Sequence, residues 1–213
     1  MGCIALLLPV LLALPLLFVL LFLNIVTISL GKLGLSPGTA LALLLAVLIG
    51  SVINLPISRR RIETVEERPR RPFFLFYRPP RVTEQVIAVN VGGALLPAAV
   101  AIYVLPQAPI VPTLVATAVV TAVARAIARP VPGTGIVMPA WVPPLASALL
   151  AFLLARDNPA PVAYISGTMG TLIGADLLNW PNFKKLGSHV LSIGGAGVFD
   201  GIFLAGIVAV LLS

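Results

Sequence analysis

Two aspartates, Asp176 and Asp200, are the residues of this 213-residue chain best suited by type and setting to do chemistry. The chain holds seven acidic residues, and the other five, Glu63, Glu66, Glu67, Glu84 and Asp157, fall in loops or at the edges of apolar runs. Asp176 stands in Gly170-Thr-Leu-Ile-Gly-Ala-Asp-Leu-Leu-Asn179, and Asp200 in Gly194-Gly-Ala-Gly-Val-Phe-Asp-Gly-Ile-Phe203. A carboxylate in hydrocarbon costs at least about 2.5–3.5 kcal/mol on insertion scales, so an apolar sequence keeps one where function or a local partner offsets that cost. Neither run contains a lysine or arginine to neutralise its aspartate. Two carboxyls at hydrogen-bonding distance share one proton, because like charges about 3 Å apart do not both ionise. Such a dyad activates a water as general base while its protonated partner polarises a peptide carbonyl. The structural alternative is an aspartate that caps a broken helix or bonds to backbone amides.

The elements that position these residues follow from composition. Hydrophobic residues make up 59% of the chain and charged residues 10%, with mean hydropathy +1.10. Soluble domains average about 45–50% apolar and about 25% charged, so this chain lacks the polar surface to stay in water. The expected fold class is all-α, a polytopic transmembrane helical bundle of about seven spans of about 20 residues each. Apolar runs punctuated by Gly, Pro and charge place the spans at about 4–30, 37–57, 85–105, 110–128, 140–155 and 160–179, with a last one ending near 212. The whole chain, 1–213, reads as one membrane-embedded domain. Residues 1–57 hold two N-terminal spans, 58–84 a basic cytoplasmic loop, and 85–213 a five-span core carrying both aspartates.

Charge sets the expected orientation. The net charge is +7, and eight of the fourteen basic residues are packed into residues 59–81. With the N-terminus cytoplasmic and seven alternating spans, that cluster joins Arg125, Arg129, Lys184 and Lys185 on the cytoplasmic side. Only Lys32 and Arg156 fall outside, twelve basic residues against two. The C-terminus is then outside, and the expected location is the plasma membrane. The basic loop is expected to meet anionic lipid headgroups rather than nucleic acid. The N-terminal run has no basic n-region and no small-x-small cleavage site, so it reads as a retained span. Cys3 is the single cysteine and His189 the single histidine, so no disulfide and no metal site is expected. Gly133-Thr-Gly135 lacks the Lys-Ser/Thr of a phosphate loop, and no cofactor is expected.

The depths of the two aspartates match only if the chain before the last helix is not helical. His189-Val-Leu-Ser-Ile193 followed by Gly194-Gly195 reads as extended or irregular, with the helix starting near Gly195. That start brings Asp200 level with Asp176, near the cytoplasmic third of the membrane, where the helix dipole favours negative charge. Asp200 shares a face with Ala196 and Gly197, and Asp176 with Asn179. Gly167, Gly170, Thr171 and Gly174 form a separate small-residue stripe suited to helix packing. Val89-Asn-Val-Gly-Gly-Ala-Leu-Leu-Pro97 reads either as an opened helix beside a cavity or as the site of an inter-helix hydrogen bond. Asn90, Gly92, Gly93, Asn179, Gly197 and Gly201 are therefore the candidate residues lining a substrate cavity. Residues 130–144, with five prolines and two glycines, read either as a re-entrant segment or as a tight apolar connector.

The blocks Val89–Pro97, Gly170–Asn179 and Ser192–Leu212 resemble an uncharacterised family of prokaryotic multi-pass membrane proteins, a domain of unknown function. The aspartate arrangement is also similar to that of intramembrane aspartyl proteases of the presenilin and signal peptide peptidase type. In that family one aspartate lies on the sixth span and its partner on the seventh, in Gly-x-Gly-Asp. The resemblance implies a catalytic pair Asp176 and Asp200 and a transmembrane peptide substrate. Here glycine stands three residues before Asp200, at Gly197, no tyrosine precedes Asp176, and Pro139-Ala-Trp141 would replace the family's Pro-Ala-Leu. An aspartyl protease-like hydrolase is the leading expectation. A small-solute or ion-coupled transporter with the aspartates as proton or cation sites is the alternative, and a non-catalytic membrane subunit or scaffold the third.

Overall fold

The computed structural model describes residues 2–64, 81–131, 135–185, 190–195 and 201–213. Helix α1 spans Gly2–Lys32 and ends in a turn at Gly34, whose φ is 79°. Helix α2, Pro37–Ser51, starts where the Ser36 hydroxyl accepts the Thr39 amide at 3.2 Å and Pro37 takes the first turn. Strands β1 (Asn54–Thr64) and β2 (Arg81–Asn90) follow, then a π-helical turn over Val91–Leu95 that runs into α3, Leu96–Val104. Helix α4 covers Ile110–Ile127, the short strands β3 and β4 cover Arg129–Val131 and Gly135–Val137, and α5 covers Val142–Leu154. Helix α6, Pro159–Thr171, continues through a second π turn, Leu172–Asp176, into a 3-10 segment, Leu177–Lys185. Strand β5 (Val190–Ile193) and helix α7 (Gly201–Leu212) complete the order.

The protein is mostly helical, but the all-α expectation is corrected by two small sheets. In the larger, with order β1-β2-β5, β1 pairs antiparallel with β2 from Asn54↔Asn90 to Thr64↔Arg81. Strand β5 runs parallel to β2, from Val86↔Val190 to Val89↔Ile193. Helix α2 thus stops at Ser51 rather than near 57, and the third helical segment begins at Val91 rather than 85. The reason lies in Val86-Ile-Ala-Val89, an apolar run that a helix and a buried strand use equally well. Its β-branched residues fit the pleat, and β1 and β5 satisfy its backbone on both sides. Pro56, which has no amide to donate, stands on the edge strand β1 beside a register shift between Pro56 and Ser58. Within 130–144 the described residues include strands β3 and β4, paired antiparallel from Arg129↔Val137 to Val131↔Gly135, and the start of α5 at Val142.

Helix α6 is the centre of the bundle. Every residue from Ala160 to Thr168 is buried, and α3, α4, α5 and α7 pack around it. Its small residues permit the approach of neighbours: added side chains at Gly170 and Gly174 would strike Val120 and the Thr121 carbonyl of α4. Its buried hydroxyls largely bond back into the helix, Ser166 to the Val162 carbonyl at 2.7 Å and Thr171 to that of Gly167 at 2.5 Å. A second core joins Val26 and Leu30 of α1, Leu44 and Val47 of α2, Val104 of α3 and Phe203 of α7. The outward faces of α1 to α5 are apolar, with Phe18, Ile49, Ile102, Leu114 and Leu149 exposed. Two helical stretches, Leu14–Lys32 and Ile110–Ile127, are long and apolar enough to cross a membrane.

Contacts sort the connections onto two ends. At one end the Lys32 ammonium donates to the Val210 carbonyl at 3.0 Å and the Asn158 amide to the Gln107 carbonyl at 2.8 Å. At the other, Asn90 reaches Ser51, Arg125 reaches Asn179, and β5 lies beside β2.

Candidate functional site

Asp176 is the last residue of the second π turn, and its Oδ2 accepts the Gly194 amide at 2.7 Å. The sequence makes this contact possible at both partners. The π turn widens the end of α6 by one residue, a feature often found where a helix serves a site. Gly194 has φ 85° and Gly195 φ 79°, a left-handed pair that side chains resist. These two residues turn the chain sharply out of β5 and present the Gly194 amide to the carboxylate. A side chain on Gly194 would also strike the Ala94 amide at 2.7 Å, so the turn is pressed against the first π turn.

That first π turn is held by Asn90. Its side-chain oxygen accepts the Gly93 amide at 2.7 Å, and its side-chain nitrogen donates to the Ser51 carbonyl at 2.6 Å. The same nitrogen reaches Oδ1 of Asn54 at 3.1 Å, and Ser192 Oγ donates to that Oδ1 at 2.6 Å. Asn90 is fully buried, and every part of its amide is used. Gly92 points elsewhere: a side chain there would strike the Val47 carbonyl and the Ser51 amide of α2, so this glycine lets the π turn touch another backbone.

An apolar jacket surrounds the site. Ile87, Ala94, Leu172, Leu191, Ile193 and Ile202 are buried together, with Ile136 and Trp180 packed against them. Ile202 belongs to the first turn of α7.

The structure brings together Asp176, Asn90 and Gly93 through the Gly194 turn, while Gly92 faces α2. Asn179, although one helical turn beyond Asp176, serves a different contact. Its oxygen accepts from Arg125 at 2.9 Å and from Asn182 at 3.2 Å, and its nitrogen donates to the Ala175 carbonyl at 2.8 Å. Gly201 is the first residue of α7. Asp200 and Gly197 lie outside the described residues, as does His189. Among the described residues no group of three or more His, Cys, Asp and Glu gathers as metal ligands would.

Sequence reasoning did not find Gly194, Asn54 and Ser192 as parts of the site. The Gly194-Gly195 doublet is the available signal, and in the sequence it marks only the break before a helix. A backbone donor has no side-chain signature.

Fold and site define a mostly helical protein with an apolar exterior, two helices able to cross a membrane, and a carboxylate held by a glycine turn at the end of a strand. The chain belongs to the family described as Protein of unknown function (DUF1614), which it matches over residues 48–212. No curated protein and no solved structure matches it.

Proposed function

We propose that this protein is a multi-pass plasma-membrane hydrolase of the aspartyl protease type, using Asp176 and Asp200 to cleave a peptide bond in a transmembrane substrate. The observation that carries the reading is the setting of Asp176 against the Gly194 turn, at the end of strand β5. Six residues after Gly194 the chain reaches Asp200, and two residues later Ile202, which is packed in the jacket around that turn.

In this reading one carboxylate takes a proton from water as the oxygen attacks the carbonyl carbon. The protonated partner gives its proton to the carbonyl oxygen, forming a neutral gem-diol. Collapse breaks the C–N bond: the amine nitrogen takes a proton from the dyad while one gem-diol hydroxyl gives its proton back to it, so an acid and an amine leave and the two carboxyls again share one proton. Substrate must reach the site extended. Strand β5 ends the order β1-β2-β5, and among the described residues nothing pairs with its outer edge. An extended peptide can add to the end of a sheet through main-chain hydrogen bonds, the mode of binding this reading assigns to β5.

The membrane arrangement that goes with this reading has seven passes, the N-terminus cytoplasmic and the C-terminus outside. It is supported by the sorting of charge, with Lys32 and Arg156 at one end of the bundle and Arg59, Arg125 and Arg129 at the other. An ion-coupled transporter is the second reading, favoured by the interruption of α6 at a π turn next to a carboxylate. A non-catalytic scaffold is the third.

The test is cleavage of a transmembrane peptide reporter by the full chain in proteoliposomes. Asp176→Asn and Asp200→Asn are each expected to lower turnover on the order of 10²–10⁴-fold, as loss of an acid–base group does. Turnover in both variants equal to wild type ends the protease reading, and aspartate-dependent solute or proton uptake without cleavage moves the assignment to transport.

A further inference from the structure

Asn54, Asn90 and Ser192 belong to three different strands and meet at one amide oxygen. Oδ1 of Asn54, on β1, accepts from Asn90 Nδ2 of β2 at 3.1 Å and from Ser192 Oγ of β5 at 2.6 Å. The contact sits where it matters for register. Asn54 is paired with Asn90 at the base of the β1–β2 ladder, and Ser192 is paired with Ala88 two residues before Gly194. The backbone pairing of β5 to β2 covers only four residues, Val190 to Ile193. A slip of one residue turns every side chain of a strand to the opposite face, and so short a ladder resists a slip weakly. Hydroxyl-to-amide bonding across the three strands is satisfied in one register only.

Asn90 extends the same link to the other side of the site. Its oxygen holds the Gly93 amide, and the Gly93–Ala94 backbone is the surface on which the Gly194 turn rests. One buried side chain therefore sets the floor of the turn, while Asn54 and Ser192 set how far β5 advances before turning. Both determine where the Gly194 amide lies relative to the Asp176 carboxylate. The apolar contacts of Leu191 and Ile193 hold the strand against the bundle but leave sliding along β2 comparatively free.

We infer that Asn54, Asn90 and Ser192 form a positioning clamp that locks β5 in register and so holds the Gly194 turn against Asp176. None of the three touches the reacting atoms; each acts through the turn. The inference rests on the reading of Asp176 as a reacting group, and it adds the residues that place that group.

The test pairs disruptive with conservative changes in the full chain reconstituted in lipid. A hydrophobic carbodiimide adds to accessible protonated carboxyls, and its rate of addition at Asp176, followed by mass spectrometry across pH, reports how firmly the turn covers that carboxyl. Ser192→Ala and Asn54→Ala remove the shared hydrogen bonds. Each is expected to raise labelling at Asp176 about fivefold and to displace its pH profile, the consequence of losing one hydrogen bond of ordinary net strength. Ser192→Thr keeps the hydroxyl and Asn54→Asp keeps the acceptor, and both are expected to return labelling towards wild type. Reporter turnover is expected to follow the same order. Wild-type labelling and pH profile in both alanine variants, with the same melting temperature, overturns the clamp. Equal labelling in Ser192→Ala and Ser192→Thr also overturns it, since the hydroxyl then does nothing. Should an alanine variant fail to fold, the comparison of Ser192→Thr with Ser192→Val, which keeps the shape and loses the hydroxyl, decides the question in the same way. The labelling ratios judge the clamp even if wild type cleaves no reporter, an outcome that sinks the protease reading alone.

Discussion

Asp176 owes its setting to a backbone group. Its Oδ2 accepts the Gly194 amide at 2.7 Å, and that amide faces it because Gly194 and Gly195 both adopt left-handed φ. A change at Gly194 therefore acts on the site without altering any titratable residue. Gly194→Ala pays for a positive φ and places a methyl against the Ala94 amide and the Gly93 carbonyl carbon. The expected loss of stability is about 1–3 kcal/mol, read as a lowered melting temperature in lipid. Reporter turnover is expected to fall with it, whereas Gly31→Ala, at a position with open space around it, is expected to leave both unchanged. Wild-type turnover in Gly194→Ala would mean that the turn does not place the carboxylate. Of this arrangement the sequence displayed the aspartate and the glycine doublet, but not that one binds the other across 18 residues.

Helix α6 positions the site because it is the element that everything else packs against. The stripe of Gly167, Gly170 and Gly174 lies against neighbours, and side chains added there would meet Ser147 of α5, Val120 of α4 and the Thr121 carbonyl of α4. Gly174→Val is expected to force α4 and α6 apart, as overpacking of a close contact does, at a cost of about 1–3 kcal/mol. It is also expected to weaken the nearby Arg125–Asn179 bond, since Asn179 is anchored on the carbonyl of Ala175, the residue after Gly174, and an added side chain at Gly174 would also press on the Arg125 amide. Trypsin cleavage after Arg125 is the measurement; an unchanged cleavage rate and melting temperature would show that the helices tolerate the separation. The strands are the part of the element scale that the sequence hid. An apolar run of four residues such as Val86–Val89 carries no period long enough to distinguish strand from helix, and its partner Val190–Ile193 is about 100 residues away. Helices α2 and α7, of 15 and 12 residues, are about 22 Å and 18 Å long, short of a hydrocarbon core of about 30 Å. In the spanning arrangement proposed above, strands β1 and β5 beside them lengthen the crossing, each paired with β2 along one edge.

The whole molecule has two ends of different chemistry, and the proposed seven-pass arrangement rests on that difference. Single cysteines on a background with Cys3 replaced by serine test the arrangement with a membrane-impermeant thiol reagent. Cysteines at Ser36 and Asp157 are expected to label from one side only, and cysteines at Ser58 and Asn182 only from the other. Labelling of all four from one side would sink the seven-pass reading, while leaving the hydrogen bonds of the bundle as they are. The Lys32 bonds to the carbonyls of Val210 and Leu211 fasten the end of α1 to the end of α7. A lysine placed there complements the negative end of the α7 dipole.

Composition and periodicity settled the parts of this protein that depend on local chemistry. Most of the apolar runs became helices, Gly34 and Ser36-Pro37 broke and restarted the chain, and the run before Gly194 is not helical but forms a strand at Val190–Ile193. These outcomes rest on propensity, capping and side-chain polarity, which each short segment carries within itself. The sheet β1-β2-β5, the two π turns and the partner of Asp176 came only from the tertiary structure. Each of those depends on backbone amides and carbonyls finding partners far along the chain. Every residue but proline carries the same pair of groups, so no residue type announces which of them will meet.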